Sequence, residues 1–143
     1  MKILLLGSNG QLGRELEREL YSVGSVAAFP RSTLDITNHR AVRDAVLAIH
    51  PNIIVNAAAY AAVDKAETDA ERANAVNAEA VANLAQVAQK QGARLIHYST
   101  DYVFDGNKPT PYIETDAPNP INVYGASKLA GETAIAAAEF SRL

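Results

Sequence analysis

Short runs of apolar residues alternate along the chain with longer stretches in which apolar residues recur every three or four positions. The first pattern is typical of buried parallel strands, and the second is typical of helices that cover a sheet. Three runs are bounded by Gly, Pro, Asn or Ser and predict strands at 2–6, 52–56 and 94–99. A weaker fourth run, 26–29, follows Gly24 and stops at Pro30. We therefore expect a sheet of four parallel strands.

Helical spacing between these runs predicts the elements that connect them. Leu12, Leu16 and Leu20 lie four positions apart, so they share one face of a helix that begins inside a glycine-rich loop. Asn38 is a suitable N-cap for a second helix, and Pro51 ends that helix.

The longest helical pattern is alanine-rich and runs from 70 to 91, with Gly92 as its natural C-terminal cap. Its buried face is predicted to consist of Ala73, Val76, Ala80, Leu84 and Val87. A further helix is predicted at 122–138. Between the last strand and this helix lies a stretch, 100–121, that holds four of the six prolines. A loop of about 20 residues inside a compact domain is usually functional.

The alternation of strand and helix predicts an α/β fold, a Rossmann-type doubly wound parallel sheet with helices on both faces. For the four strands we expect the order 3-2-1-4. Ligands of such sheets bind outside the carboxyl ends of the strands, so the loops that follow the strands are the places to look for chemistry.

Composition excludes several classes of protein. The 143 residues include no cysteine, which rules out disulfides, thiolate metal sites and thiol nucleophiles. A net charge of −3 without Lys/Arg clusters argues against nucleic acid or an anionic membrane as a partner. No apolar run approaches the length of a transmembrane helix, and the first residues make a poor signal peptide. We expect one soluble, cytoplasmic domain.

A glycine-rich loop joins the first strand to the first helix and reads Gly7-Ser8-Asn9-Gly10-Gln11-Leu12-Gly13. Glycines permit positive φ angles and let backbone N–H groups approach a pyrophosphate, whose charge the helix dipole then stabilises. The spacing G-x-x-G-x-x-G differs from the dinucleotide fingerprint G-x-G-x-x-G, and a tight strand–helix turn uses glycine in any case. Its position at the first strand–helix junction nevertheless favours dinucleotide binding over a purely structural turn.

The end of the second strand indicates which dinucleotide is bound. NAD sites usually carry an acidic residue there and NADP sites a basic one, and this chain carries Arg31 and Ser32. These side chains would hold a 2′-phosphate, so the sequence favours NADPH over NADH; the alternative is that Arg31 is a solvated loop charge. Asp35 and Ile36 would flank the adenine, with Asp35 accepting a hydrogen bond from its amino group. Asp35 is equally suited to a turn or a cap.

Small side chains follow the third strand, where the chain reads Ala57-Ala58-Ala59-Tyr60. They would let a ligand lie flat on the sheet edge, so these four residues are predicted to contact the cofactor. The alternative is that they only let a helix and a strand pack closely.

A tyrosine and a lysine carry the predicted chemistry. Tyr124 and Lys128 are four apart, so on a helix both side chains point the same way. A phenol titrates near ~10, and an ammonium group beside it lowers that pKa toward the range useful for proton transfer. Lowering it by ~2–3 units takes ~3–4 kcal/mol of differential stabilisation. Ser99 and Thr100 end the fourth strand, and the Thr100 hydroxyl would bond the substrate oxygen.

These residues together resemble the extended short-chain dehydrogenase/reductase family, over residues 1 to about 137. The Ser-Thr-Asp-Tyr-Val-Phe-Asp-Gly phrase is far more specific than the Tyr-x-x-x-Lys pair. The segments that carry the resemblance are the glycine loop, Asn56-Ala57-Ala58-Ala59-Tyr60 with Val63-Asp64-Lys65-Ala66-Glu67, Tyr98-Ser99-Thr100-Asp101-Tyr102-Val103-Phe104-Asp105-Gly106, Glu114-Thr115-Asp116, and Asn122-Val123-Tyr124-Gly125 with Lys128-Leu129-Ala130-Gly131-Glu132.

The resemblance implies a reductase that transfers a hydride from NAD(P)H to the ketone of a dTDP-linked keto sugar. It implies Tyr124 as the proton donor, Lys128 as a ligand of the nicotinamide ribose that also tunes Tyr124, and Thr100 as an assisting hydroxyl. Thr100 and Asp101 would approach the sugar nucleotide together with Tyr124, and Ser99 would contact the cofactor. Family members are described as using Mg²⁺ at a dimer contact made by their later half, so Mg²⁺ and a homodimer are expectations for that half.

Two alternatives remain open within the resemblance. Another sugar-nucleotide epimerase or dehydratase of the family would share the glycine loop and the Tyr-x-x-x-Lys pair, although the Thr100-Asp101 phrase disfavours it. A non-catalytic, NADP-binding regulatory subunit of an S-adenosylmethionine synthetase would have no need of Thr100, Tyr124 and Lys128 together.

The chain is much shorter than members of the family and stops just after the last predicted helix. We therefore expect an NAD(P)-binding Rossmann domain at 1–138, truncated before the substrate-binding C-terminal part, that binds the cofactor without turning over the sugar. Glu139-Phe140 is what an in-frame EcoRI site encodes. The segment 139–143 is accordingly interpreted as a vector-derived tail, a hypothesis that the coding DNA would test.

Overall fold

A four-stranded parallel sheet forms the centre of the computed structural model, which describes residues 1–138. The strands are β1 (Lys2–Leu6), β2 (Ser25–Phe29), β3 (Ile53–Asn56) and β4 (Arg94–His97). The helices are α1 (Gln11–Leu20), α2 (His39–Ile49), α3 (Val63–Ala66), α4 (Ala70–Asn74), α5 (Ala80–Gln91) and α6 (Val123–Ala137). The predicted doubly wound α/β fold is confirmed; the hypothesis about 139–143 lies outside the described residues.

Helices cover both faces of the sheet. α1 packs on the face that Ile3 and Leu5 present, whereas α2 and α5 pack on the face that Leu4 and Leu6 present. Because each inner strand is covered on both sides, all four of these β1 side chains are buried. In the described part of the chain, no helix is both long and apolar enough to cross a membrane.

The order of the strands differs from the expected 3-2-1-4. The sheet runs β2-β1-β3-β4, so β3 pairs with the side of β1 opposite β2, and β4 pairs with β3. The first crossover runs from β1 through α1 to β2 on one side of β1. The second runs from β2 through α2, past β1, to β3 on the other side. Because both crossovers are right-handed and run in opposite directions, α1 and α2 lie on opposite faces of the sheet. The expected order is wrong because short apolar strands look alike in sequence, and the packing of the crossover helices decides which neighbour each strand takes.

Two helix ends carry the caps that the sequence predicts, at Asn38 and Gly92, and Asn122 is a further cap. The Asn38 side chain accepts a hydrogen bond from the backbone N–H of Ala41 at the start of α2. Gly92 ends α5 in the left-handed conformation, at a φ of 64°. Asn122 caps α6 by accepting from the backbone N–H of Gly125 at 2.7 Å.

The long alanine-rich helix is interrupted. A π-helical turn, Ala75–Glu79, separates α4 from α5 and contains the buried Asn77. The five positions of the predicted buried face are all buried: Ala73, Val76, Ala80, Leu84 and Val87. A short 3-10 helix, Asp101–Val103, and α3 are two further elements that the apolar pattern did not predict.

Two expectations about burial are wrong. β4 is not a buried strand, since it pairs only with β3 among the described residues and leaves Ile96 39% exposed. Leu12 is 42% exposed, unlike Leu16 and Leu20 farther along α1, because the first turn of the helix extends past the sheet beside the glycine loop.

Candidate active site

The glycine loop is shaped by contacts that exclude side chains. Gly7 has a φ of 78°, and a Cβ there would lie 2.7 Å from the backbone nitrogen of Ala58. A Cβ on Gly13 would lie 2.8 Å from the Cα of Ser8 and closer still to the carbonyl oxygen of Gly7. Gly7 and Gly13 are therefore packing positions that bring the loop, α1 and the end of β3 together.

Gly10 differs from these two positions. A Cβ there would meet nothing closer than 3.4 Å, and no side chain caps α1 at Gly10. Within residues 1–138, no side chain caps the first N–H groups of α1, and the first-turn residues Gln11 and Leu12 are exposed. An uncapped helix N-terminus carries partial positive charge and suits a phosphate group.

A cavity of about 200 Å³ lies at the carboxyl ends of β1, β2 and β3. Ten of the predicted cofactor residues line it: Gly7, Asn9 and Gly10 after β1, Arg31, Asp35 and Ile36 after β2, and Ala57, Ala58, Ala59 and Tyr60 after β3. Gln11, Leu12, Gly13, Ser32 and Ser99 are not among its lining residues. The cavity thus gathers predicted residues that lie far apart in sequence.

Two guanidinium groups flank one carboxylate in the wall of this cavity. Arg31 Nε lies 3.1 Å from Asp35 Oδ2, and Arg72 Nη2 lies 3.6 Å from the same oxygen. That Arg72 nitrogen is buried and has no hydrogen-bond partner among the described residues. A buried donor without an acceptor is costly, so the wall offers an unused guanidinium N–H to a ligand.

Asp35 stabilises the turn after β2, which is one of the two roles that the sequence allows for it. Its Oδ1 accepts from the backbone N–H of Thr37 at 3.0 Å and from the Thr37 hydroxyl at 2.7 Å. Burial alone would raise the pKa of Asp35, but the bonds from Thr37 and the Arg31 guanidinium outweigh it and hold the pKa below its usual value. The carboxylate is therefore charged at neutral pH and holds both arginines at the cavity.

The cavity contains residues that sequence reasoning missed. Leu34, Arg72 and Val76 complete its wall, and the first and last of these are buried apolar residues. Their position depends on how α4 and the π-helical turn pack beside the loop after β2. No spacing in the sequence signals this packing.

Lys128 is buried at the inner side of α6, with 2% of its surface exposed. Its Nζ donates to the carbonyl oxygen of Tyr98 and lies 3.2 Å from His97 Nε2. Burial lowers the pKa of Lys128 to about 8, although the Glu132 carboxylate acts in the opposite direction. Both hydrogen-bond partners of the amine lie at the end of β4 rather than on Tyr124.

Tyr124 occupies the first turn of α6 and is half-buried. Its ring packs edge-on against Tyr102, with 5.7 Å between the ring centroids. Thr100 lies between Tyr98, which contacts Lys128, and Tyr102, which contacts Tyr124. The predicted catalytic residues therefore belong to one region formed by α6 and the chain after β4.

Thr100, Asp101 and Ser99 have local partners. The Thr100 hydroxyl accepts from the backbone N–H of Tyr102 at 3.3 Å and lies 3.3 Å from Asp101 Oδ1. The Ser99 hydroxyl donates to the Glu132 carboxylate. Asp101 and Ser99 are exposed, so both are accessible to a ligand that approaches this edge.

Asn77 links the cavity wall at Tyr60 to α6. Its side chain accepts from the backbone N–H of Tyr60 at 2.9 Å and donates to the Tyr60 carbonyl and the Ser127 hydroxyl, each at 3.0 Å. The Ser127 hydroxyl in turn donates to the carbonyl oxygen of Tyr124. A π-helical turn often marks a functional site, and here it places a buried amide between two groups of site residues.

Among residues 1–138, no group of three or more His, Asp or Glu side chains is arranged to hold a metal ion. Magnesium binding stays a prediction for the later half of the family's members, which this chain does not include.

Replacing Lys128 by Met is expected to stabilise the fold at neutral pH. Because the pKa of Lys128 is about 8 in the folded chain and lysine in an unfolded chain titrates near ~10.4, holding the charge costs at most about 3 kcal/mol. Stability of the wild type rises from about pH 8 to about pH 10, where only the unfolded chain still binds the proton. Urea unfolding of both chains should show a gap at pH 7 that closes toward pH 10; a constant gap would contradict the buried charge.

The chain is similar to a family of known proteins over nearly its whole length. Residues 1–142 match the family model described as the RmlD substrate binding domain. A dTDP-4-dehydrorhamnose reductase of Burkholderia thailandensis is 51% identical over 136 residues, which cover 95% of this chain and 46% of that protein. One from Escherichia coli is 50% identical over 139 residues, with coverage of 94% and 46%. The chain thus spans about half the length of these curated relatives.

A solved structure has the same fold. The crystal structure of dTDP-4-dehydrorhamnose reductase from Bacillus anthracis in complex with NADP is 43% identical and superposes with a TM-score of 0.92. The match covers 96% of this chain and 49% of that one.

Proposed function

Because the chain belongs to the RmlD substrate binding domain family, we propose that it forms the cofactor-binding and catalytic half of a dTDP-4-dehydrorhamnose reductase. The reaction is the reduction of the C4 ketone of dTDP-4-dehydro-6-deoxy-L-mannose to dTDP-L-rhamnose by hydride transfer from NADPH or NADH. The chain matches 46% of these relatives, and we expect further contacts to the sugar nucleotide, Mg²⁺ and a dimer partner to come from the part that it does not match.

The cavity at the carboxyl ends of β1, β2 and β3 carries this proposal. Arg72, whose Nη2 makes an ion pair with Asp35 but no hydrogen bond among the described residues, and the neighbouring Arg31 fit the charge of a 2′-phosphate. Gly10 and the uncapped start of α1 fit a pyrophosphate. The buried Leu34 and Ile36 fit the face of an adenine ring. The residues present therefore suit NADPH in chemistry and in position.

Residues of this chain would then supply the proton and stabilise the charge that it leaves behind. NADPH, when bound, supplies the hydride that forms the new C–H bond at the ketone carbon. The Tyr124 hydroxyl donates its proton to the ketone oxygen as that oxygen gains negative charge, and a phenolate remains on Tyr124. The Lys128 ammonium stabilises this phenolate, and Thr100 holds the substrate oxygen in position.

Removing either cavity arginine is expected to weaken NADPH binding by about 10–100-fold. Each guanidinium contributes charge-assisted hydrogen bonds worth about 1.5–3 kcal/mol to a phosphate. Arg31→Ala and Arg72→Ala should leave NADH binding nearly unchanged, since NADH lacks the 2′-phosphate. Calorimetric titration of the 143-residue chain with NADPH and then with NADH measures both affinities.

Arg40→Ala is the matched control, because Arg40 is an exposed guanidinium on α2 that pairs with Asp44 and does not line the cavity. Its loss should change neither affinity. Equal weakening of NADPH and NADH by Arg72→Ala would refute the phosphate role of Arg72. No binding of either dinucleotide to the wild-type chain would refute cofactor binding by this half alone.

Turnover separates the proposed reductase from the alternatives. Net oxidation of NADPH by the dTDP-linked keto sugar, in a protein that carries this chain together with a second half, supports the reductase. Conversion of a sugar nucleotide without net oxidation of the cofactor would instead indicate an epimerase or dehydratase. Dinucleotide binding without any conversion would favour the regulatory subunit.

A further inference from the structure

A line of hydrogen-bonding groups connects the cofactor cavity to Lys128. Asn56 ends β3, and its Oδ1 accepts from the backbone N–H of Ala58 at 3.1 Å. Its Nδ2 lies 3.1 Å from His97 Nδ1, and His97 Nε2 lies 3.2 Å from Lys128 Nζ. Asn56 and Lys128 are almost completely buried, and Asn56 pairs with His97 in the register of β3 and β4.

The backbone fixes the orientation of the Asn56 amide. The N–H of Ala58 is a donor that cannot turn, so the amide oxygen must face it. A rotated amide would place its NH₂ group against that N–H, with two donors in contact and no acceptor. The Asn56 NH₂ group therefore faces His97 Nδ1, and Nδ1 must act as the acceptor. In a neutral imidazole the proton then lies on Nε2.

This tautomer presents a donor to the lysine. An ammonium group has three donors and no acceptor, so it cannot accept the His97 Nε2–H. A neutral amine has a lone pair that can accept this proton while it still donates to the Tyr98 carbonyl. The contact between His97 and Lys128 is consequently a hydrogen bond only when Lys128 is uncharged.

We propose that Asn56 holds His97 in the Nε2-protonated tautomer, and that His97 in this form is a positioning residue that favours the neutral amine of Lys128 over its ammonium form. The electrostatics agree with this arrangement. Burial and the nearby Lys128 lower the pKa of His97 to about 4, so the ring stays neutral throughout the physiological range. Glu132, on α6, attracts the charged amine and opposes His97.

The contacts of the amine are with the His97 ring and the Tyr98 carbonyl, and neither group is charged near neutral pH. Glu132 is the charged group that acts on Lys128 by Coulomb attraction. Burial of Lys128 disfavours its charged form and Glu132 favours it, and the contact with His97 acts in the same direction as burial.

The consequence for catalysis rests on the proposed function. If the ammonium form stabilises the Tyr124 phenolate, activity falls as the pH rises through the titration of Lys128. The tautomer of His97 and the charge of Lys128 in the ligand-free chain are measured without any cofactor or substrate, so this test does not depend on the proposed function.

Nuclear magnetic resonance of the 143-residue chain tests the proposal. Long-range ¹H–¹⁵N spectra should show His97 with its proton on Nε2 from about pH 6 to about pH 8, with a His97→Gln chain to identify its signals. The ¹³Cε signal of Lys128, identified by its absence in Lys128→Met, should titrate near pH 8. A proton on Nδ1 of His97 in the wild-type spectrum would overturn the proposal.

Asn56→Asp tests whether Asn56 sets the tautomer of His97 and, through it, the charge of Lys128. The carboxylate keeps an acceptor for the Ala58 N–H but replaces the NH₂ group by a second acceptor, so the His97 proton should move to Nδ1. Nε2 then accepts from the Lys128 ammonium, and the midpoint of the Lys128 titration should rise by about one to three pH units.

Asn52→Asp is the matched control, since it adds the same charge just before the other end of β3, where Asn52 Oδ1 accepts from the backbone N–H of Lys2. It should leave the His97 tautomer unchanged and the Lys128 midpoint near its wild-type value. An equal rise in both variants, or an Asn56→Asp chain with an unmoved Lys128 midpoint, would show that Asn56 and His97 do not set the charge of Lys128.

Discussion

A chain carrying Gly13→Ala is expected to lose its folded state. The added Cβ would lie 2.8 Å from the Cα of Ser8 and closer to the carbonyl oxygen of Gly7. Both neighbours are backbone atoms of a loop that the end of β2 also holds, through bonds from Gly7 and Ser8 to the carbonyl of Phe29. Overpacking against rigid backbone costs about 3 kcal/mol or more, a large share of the stability of a small domain.

Gly10→Ala provides the control within the same loop. Gly10 has a φ of −71° and no atom closer than 3.4 Å to an added Cβ, so the alanine chain should fold and melt close to wild type. Circular dichroism on heating compares the three chains. If Gly10 faces a pyrophosphate, its alanine variant should also bind NADPH at least about tenfold more weakly, since the added methyl group would keep the phosphate away from the backbone N–H groups. A Gly13→Ala chain as stable as the Gly10→Ala chain would show that the loop shifts to make room for the added methyl group.

Features that depend on a few neighbouring residues could be predicted from the sequence. Asn38 and Gly92 cap their helices as expected, because a cap is decided by one side chain or one φ angle and the backbone groups within reach. The glycine loop and the alanines after β3 meet at one cavity for a similar reason. Parallel strands bring all their carboxyl ends to the same edge of the sheet.

Features that depend on packing between distant elements could not be predicted. Arg72 is 37 positions from Asp35, and only the placement of α4 beside the loop after β2 brings them together. His97 lies on β4, and nothing in the sequence indicates that its ring nitrogens contact Asn56 and Lys128. The partners of Lys128 could not be predicted because they lie at the end of β4 rather than on its own helix.

The same limit applies to the predicted roles at the chemical centre. The spacing of Tyr124 and Lys128 predicts that they share a helix face, and α6 carries both. Spacing does not indicate which groups the Lys128 amine contacts. In the structure the amine contacts the Tyr98 carbonyl and His97. Tuning of Tyr124 by Lys128 is therefore a prediction about the ligand-bound protein, to be tested by turnover.

Tyr124→Phe is expected to lower turnover about 10²–10⁴-fold while leaving NADPH affinity within about twofold, because it removes the proton donor and keeps the ring. Since the chain spans about half of its relatives, turnover is measured in a chimera in which it replaces the matching part of the Escherichia coli relative, 50% identical over 139 residues. The chimera with Tyr124 must first oxidise NADPH when given the dTDP-linked keto sugar.

Tyr102→Phe is the matched control, because it deletes a hydroxyl from the ring that packs edge-on against Tyr124 and leaves that packing intact. A loss confined to Tyr124→Phe assigns the proton to the Tyr124 hydroxyl, since both variants preserve the ring pair. Equal losses in the two variants would point to disturbed packing at the start of α6. An active Tyr124→Phe chimera would remove Tyr124 from the mechanism and leave the proton to a hydroxyl such as that of Thr100.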